Sequence, residues 1–175
     1  MHVTFIGEPS EVTVEQVRPE ITYALRREVL RPGRGWDELA LPGDREHSTG
    51  HFAAYVDHEV VGVATVIEEP ETDGPGVWRL RGMAVAPAHR GAGVGRALLS
   101  RVRDFVARSG GGLLWCNARV TAEGFYRALG FVTVSESWDD PQIGPHVRMH
   151  DALAAKAPPP SPIRRPHPGC GRYES

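Results

Sequence analysis

The chain has 175 residues, a formal net charge of −2 and 41% apolar residues, which suits one globular domain with its own core and excludes a disordered chain. Residues 156–175 carry four cations and one acid, a local +3, so the remainder is at −5; a general nucleic-acid binder would show a basic face instead. No run reaches the roughly 18 apolar residues of a membrane span. MHVTFIGEPS shows no basic-then-apolar leader, and Cys116 and Cys170 form no disulfide or zinc framework, so a reducing cytoplasm is the expected location.

Val12 and Val14 alternate with polar neighbours up to Gln16 and predict a first strand. Pro19 opens a helix, whose Ile21, Ala24, Leu25, Val29 and Leu30 keep helical spacing until Pro32. Residues 31–50 read as a loop with one helical turn from Trp36 to Leu39. HFAAYVDHEVVGVATVIEE reads as a hairpin with its turn near Asp57 to Glu59. GVWRLRGMAVA is a strand, and GAGVGRALLSRVRDFVARSG a helix with Val94, Leu98, Val102, Phe105 and Val106 on one stripe. GLLWCNAR is a short buried strand, into which Cys116 packs. TAEGFYRALG is a helix with Thr121 as its cap and Gly130 just past its end. FVTVSESW and HVRMHDAL form a closing antiparallel pair.

This order predicts a mixed sheet with helices on both faces, an α+β domain of three layers (αβα) over residues 10–154. KAPPPSPIRRPHPGCGRYES is Pro-rich and aperiodic, so residues 155–175 are expected to be a disordered tail.

The segment RGMAVAPAHRGAGVGRALL carries the strongest functional signal. A strand ends at Ala86–Pro87, and Gly91, Gly93 and Gly95 precede a helix beginning near Val94. The first amides of a helix lack internal partners, and the helix dipole adds positive charge there. Glycines let an anion approach those amides, and Arg90 adds planar donors. Together these features predict a phosphate or pyrophosphate site. The spacing is not that of a dinucleotide fold, because Arg96 stands where G-x-G-x-x-G needs glycine. A Walker Gly-Lys-Ser/Thr is also absent.

AVAPAHRGAGVGRALL resembles the signature segment of the GNAT superfamily of acetyltransferases, with Arg90, Gly93 and Gly95 on the motif positions. LWCNARVTAEGFYRALGF resembles a later block of the same family, through Asn117, Ala122, Phe125, Tyr126, Gly130 and Phe131. The combination with GPHVRM is similar to a bacterial subgroup. The resemblance implies a mostly antiparallel central sheet of GNAT type and acetyl-CoA as acyl donor. It implies that amides from Arg90 through Gly91, Ala92, Gly93, Val94 and Gly95 to Arg96 cradle the pyrophosphate. It further implies that the backbone of Met83, Ala84 and Val85 pairs with the pantetheine arm. Asn117, Phe125 and Tyr126 complete the expected donor site. Tyr126 is the implied general acid for the departing thiolate, against the plainer reading that it only packs with Phe125 and Phe131.

The base is open at this level. Some relatives place a glutamate on the strand before the glycine turn, where this chain has Trp78, Arg79, Leu80, Arg81 and Gly82. The candidates are Glu68, Glu69, Asp139, Asp140 and His146, of which His146 has the most suitable intrinsic pKa. Arg79 and Arg81 share one strand face and either line the acceptor pocket, where they would attract an acidic substrate, or form surface ion pairs. No metal site is expected, since His146 and His150 lie on a strand. The function expected is transfer of an acetyl group to a primary amine of a small or amino-acid-like molecule. The alternatives are a non-catalytic acyl-CoA-binding module and a protein N-acetyltransferase. The partners expected are the amine acceptor, with a homodimer open, and neither nucleic acid nor membrane.

Overall fold

The structure is a computed structural model describing residues 11–69, 76–141 and 143–155; the Pro-rich tail beyond residue 155 lies outside them. β1 (Thr13–Gln16) leads into α1 (Glu20–Leu25), which begins directly after Pro19. The predicted helix to Leu30 changes type at Arg26, where a π-helical turn (Arg26–Leu30) takes over and Arg31 N–H bonds Arg26 O at 3.0 Å. The wider turn carries the Arg26 side chain inward, where it is 2% exposed, against partners described below. A 3-10 turn at Trp36–Glu38 is the one regular element of the following loop.

β2 (Gly50–Val56) and β3 (Glu59–Glu68) form the predicted hairpin. Its two turn residues, Asp57 and His58, have φ of 49° and 67°, the left-handed pair that a two-residue turn of matching twist requires. β4 (Val77–Val85), α2 (Val94–Arg108), β5 (Gly112–Arg119) and α3 (Glu123–Ala128) follow, then β6 (Val132–Thr133), β7 (Trp138–Asp140) and β8 (Gly144–Leu153). The sheet order is β1-β2-β3-β4-β5-β8-β6, with β7 also on β8. Every pairing is antiparallel except β4 with β5.

Two details differ from the sequence reading. Thr121 lies inside a 3-10 turn (Val120–Ala122), and Ala122 precedes α3 without a side-chain cap. The closing pair is also split, since β6 and β7 bond β8 separately. Ser135 Oγ accepts from Arg148 N–H at 2.8 Å and donates to Glu136 O at 2.8 Å, so a side chain replaces the ladder between them.

The core forms on both faces. The α2 stripe of Val94, Leu98, Val102 and Val106 is buried against Phe52, Val66, Trp78 and Leu80. Phe105 meets Phe52 and Trp78 edge-on, each at 5.8 Å. On the opposite face, Leu25 of α1 packs on Ala53, Val63 and Ala84. That second layer lies over β2 to β4, and the loop after α1 meets β4 at Arg81 through Pro42 and Asp44.

Candidate active site

The site begins where the sheet comes apart. β4 and β5 pair only from Val77↔Leu113 to Arg79↔Trp115. Beyond that, β4 bonds only β3 and β5 bonds only β8, so their facing edges are left without strand partners. A bulge produces the divergence: Val63 faces Ala84 and Thr65 faces Arg81, which sets Gly82 and Met83 together against Ala64. Gly82 has φ of +57°, and a Cβ there would lie 2.8 Å from Arg26 Nε. A left-handed glycine at a bulge bends its strand, and here it bends β4 away from β5. A cleft of about 1430 Å³ opens at this point, lined by Met83, Ala84 and Val85 of β4, Asn117 and Arg119 of β5, and Tyr126 of α3.

At one end of β4 stands the glycine turn. Gly91 and Gly93 have φ of +80° and +83°, and Gly93 immediately precedes α2. The first intrahelical bond is Ala97 N–H to Gly93 O at 3.0 Å, so the amides of Val94, Gly95 and Arg96 precede it and point out of the helix. A Cβ at Gly91 or Gly93 would meet nothing within 4 Å, so the space over these amides is open. Arg90 runs alongside, its Nε donating to Val85 O at 3.4 Å. The combination of open amides, helix dipole and adjacent guanidinium fits a diphosphate. Gly95 is glycine for a different reason from the one expected. A Cβ there would lie 3.0 Å from Phe125 Cζ, so this position is kept small by packing.

Tyr126 joins the two parts of the site. It is 8% exposed, lies edge-on to Phe125 at 5.0 Å and Phe131 at 5.3 Å, and donates to Met83 Sδ at 3.5 Å. Its ring packs, and the residue also lines the cleft. Burial, helped by neighbouring Cys116, pushes the phenol well above its ordinary pKa. The same dry surroundings push the buried thiol of Cys116 up to about 12.

A buried ionic network holds the far wall, and sequence reasoning missed it. Asp44, from the loop after α1, accepts from Arg26 Nη1 at 2.7 Å and from Arg81 Nη2 at 2.9 Å. Leu41 N–H also donates to it at 3.0 Å, and Arg26 donates to Leu39 O at 3.3 Å. Arg81 Nη2 bonds Pro42 O at 2.5 Å as well. Burial alone would raise the Asp44 pKa, but the Leu41 amide and the two guanidinium groups overcome it and hold the carboxyl below its usual range. Desolvation lowers the Arg81 pKa, with Asp44 opposing.

His51 completes the network. Its Nε2 lies 2.7 Å from Asp44 O and its Nδ1 2.8 Å from Thr65 Oγ1, which in turn accepts from Arg26. A carbonyl can only accept, so Nε2 carries the hydrogen, and burial lowers the His51 pKa in favour of this neutral form.

The other predicted residues divide clearly. Glu68, Glu69 and Asp140 line the cleft. Arg79 lines it too and pairs with Glu69 at 3.3 Å. Asp139 sits in the β7–β8 ladder opposite Pro145. His146 is 4% exposed, and its Nδ1 donates to Gly144 O at 2.7 Å. It stacks near Trp138 and stands opposite Arg119 in the β5–β8 ladder. Of the missed residues, only Gly82 carried a sequence signal, a lone glycine inside a strand pattern. Asp44 and His51 meet Arg26 and Arg81 only through the fold. Among the described residues no cluster of His, Cys, Asp or Glu is arranged to hold a metal ion.

A strand that parts from its neighbour at a bulge, a glycine turn with open helix-start amides and a tyrosine across the gap thus meet around one cleft. The family model described as an acetyltransferase (GNAT) domain matches residues 47–133. The uncharacterised N-acetyltransferase YitI of Bacillus subtilis is 30% identical over 142 residues, covering 80% of this chain and 95% of that protein. The chain belongs to the GNAT family of N-acetyltransferases, enzymes that generally take acetyl-CoA as acyl donor. Solved structures share the fold: the ribosomal-protein-S18-alanine N-acetyltransferase of Escherichia coli superposes with a TM-score of 0.67 at 16% identity, covering 84% of this chain and 97% of that one. A GNAT-family acetyltransferase of Streptococcus pneumoniae gives 0.65 at 14% identity, covering 82% and 100%.

Proposed function

We propose that the protein acetylates the primary amine of a small acceptor by direct attack of the neutral amine on the thioester of acetyl-CoA. The observation that carries this reading is the Tyr126 hydroxyl, held across the β4–β5 gap against Met83. Acetyl-CoA, when bound, supplies the activated acetyl group. The amides of Val94 to Arg96 and the Arg90 guanidinium would hold its diphosphate, and the unpaired β4 edge at Met83 to Val85, with Asn117 and Phe125, would hold its arm.

Tyr126 holds a proton on Oη at every working pH. A phenol raised by burial is a weak acid in water, but a thiolate leaving into the same surroundings is raised as well, as Cys116 shows. Burial thus moves the donor and the acceptor of this proton in the same direction, and the phenol serves the departing sulfur first as a hydrogen-bond donor. On the acceptor side, Glu69 is neutralised by Arg79. Glu68, which accepts from Gly76 N–H at 3.4 Å, is the cleft carboxylate we assign to receive the ammonium proton through water. The arginines help it. A guanidinium about 6 Å away disfavours an ammonium by roughly 3 kcal/mol at an effective dielectric of about 20, or about two pKa units.

The test is to follow free-thiol release from acetyl-CoA with a panel of amines and short peptides. Turnover with small amines and not with peptides supports the proposal. Saturable CoA binding without thiol release from any of them would leave a binding module in its place.

A further inference from the structure

The cleft carries more positive charge than the donor's diphosphate accounts for. Seven arginines and four acids of the described residues line it. Arg90 stands beside the glycine turn at the start of α2, whereas Arg79, Arg81 and Arg119 lie on the sheet face turned away from α2. Their placement follows from register: Arg79 is beside Trp115, Asn117 is opposite Arg148, and Arg119 is opposite His146. Compensation on this wall is incomplete. The single carboxylate of Asp44 serves both Arg26 and Arg81, and Arg81 Nε is buried without a partner. The side chain of Arg119 makes no ion pair or hydrogen bond among the described residues. Arg148 adjoins the cleft through Asn117, and among the described residues its guanidinium donates only to Asn117 Oδ1, at 3.5 Å.

The guanidinium groups are also held in place. Arg79 and Arg148 lie over the Trp115 ring at 4.8 and 4.5 Å, one from each neighbouring strand. Stacking and the Asp44 clamp reduce the rotamer freedom that an arginine otherwise loses when it captures a ligand. A fixed, under-compensated set of planar donors is matched by an oxyanion, which it can bond in bidentate fashion.

The geometry points to an acceptor that carries a carboxylate or phosphate besides its amine, anchored by Arg119 and Arg148 beside Trp115 with Arg81 behind them. This rests on the cleft being the acetyl-transfer site. It excludes the polycationic amines that a glutamate-lined pocket would take. It also gives the arginines two duties, since the anion is gripped at one end while the amine at the other is kept neutral.

The test uses matched amines at saturating CoA, so that the diphosphate site is filled. 4-Aminobutyrate is compared with butylamine, and 2-aminoethyl phosphate with ethylamine, by calorimetry on the full chain. In each pair with the correct oxyanion, the anionic member binds at least tenfold tighter. Arg119→Gln together with Arg148→Gln reduces that preference to about one, and Arg148→Lys restores part of it. The two pairs tell carboxylate from phosphate. Equal or tighter binding of the amines that lack an anionic group overturns the inference, as does a preference that survives in the double variant. Failure of the acetyl-transfer reading is seen separately, as wild-type protein that fails to bind CoA or releases no thiol with any of the four amines.

Discussion

Tyr126 Oη donates to Met83 Sδ at 3.5 Å, joining α3 to the bulged end of β4 across the gap that opens between β4 and β5. The contact is a weak bond for a buried phenol, because a thioether is a poor acceptor. The hydroxyl is thus available to a better partner in the cleft. Replacing it by hydrogen leaves the ring packing against Phe125 and Phe131 intact. Tyr126→Phe is expected to lower kcat by about 10²-fold or more, with KM for acetyl-CoA within a few-fold and Tm nearly unchanged. Steady-state thiol release and a thermal melt check this. Full turnover in the variant would remove the acid role.

Gly93 and Gly95 differ by two positions and should fail differently. Gly93→Val puts a β-branched residue at φ of +83° in open space, so the cost is backbone strain of roughly 1–2 kcal/mol at the helix start. The CoA Kd should rise about tenfold or more. Gly95→Ala instead pushes on Phe125, whose ring lies 5.0 Å from Tyr126, so kcat should fall as well as affinity. CoA titration and initial rates on both variants separate the effects; a drop in kcat alone for Gly93→Val would count against the diphosphate assignment.

Asp44→Asn removes the carboxylate shared by Arg26 and Arg81. Asp44 and Arg26 are 4% and 2% exposed, so the change leaves two charges without their counter-ion in the interior. Breaking a buried pair in this way costs about 3–5 kcal/mol. Urea unfolding should show a lower midpoint, and an unchanged midpoint would mean that water reaches the network.

The neutral His51 predicts a pH signature. Burial places its folded pKa below 6.5, so as pH falls through that value the unfolded chain takes up a proton that the folded chain refuses. Stability linked to His51 is therefore present above about pH 6.5 and declines toward lower pH. His51→Gln keeps an amide N–H for Asp44 O and removes the titration. Between about pH 7 and pH 5, the wild type should lose more stability than the variant. Parallel curves would show that His51 is not held neutral.

The local features were legible from the residues alone. The α2 stripe from Val94 to Val106, the Asp57–His58 turn and the glycine turn before α2 each depend on a few neighbouring positions. Helical spacing, left-handed turn residues and unpaired first-turn amides operate over that range. The same is true of Tyr126, whose place on a helix behind a buried strand could be read from FYRALGF.

What the tertiary structure decided is which distant groups share one environment. Asp44 reads as an ordinary loop acid, and Arg26 as a polar position in a helix. They become a buried pair, 18 residues apart in sequence, only because the π-helical turn rotates Arg26 inward and β3 supplies Thr65 and β4 Arg81 beside it. His146 could be read as a residue of suitable intrinsic pKa, and only the β7–β8 and β5–β8 pairings show it buried beside Trp138 and opposite Arg119. Residue type and spacing determine local conformation and intrinsic pKa. Burial, pairing and the direction a side chain faces are set by segments meeting across the sheet, and those terms decide which groups do chemistry.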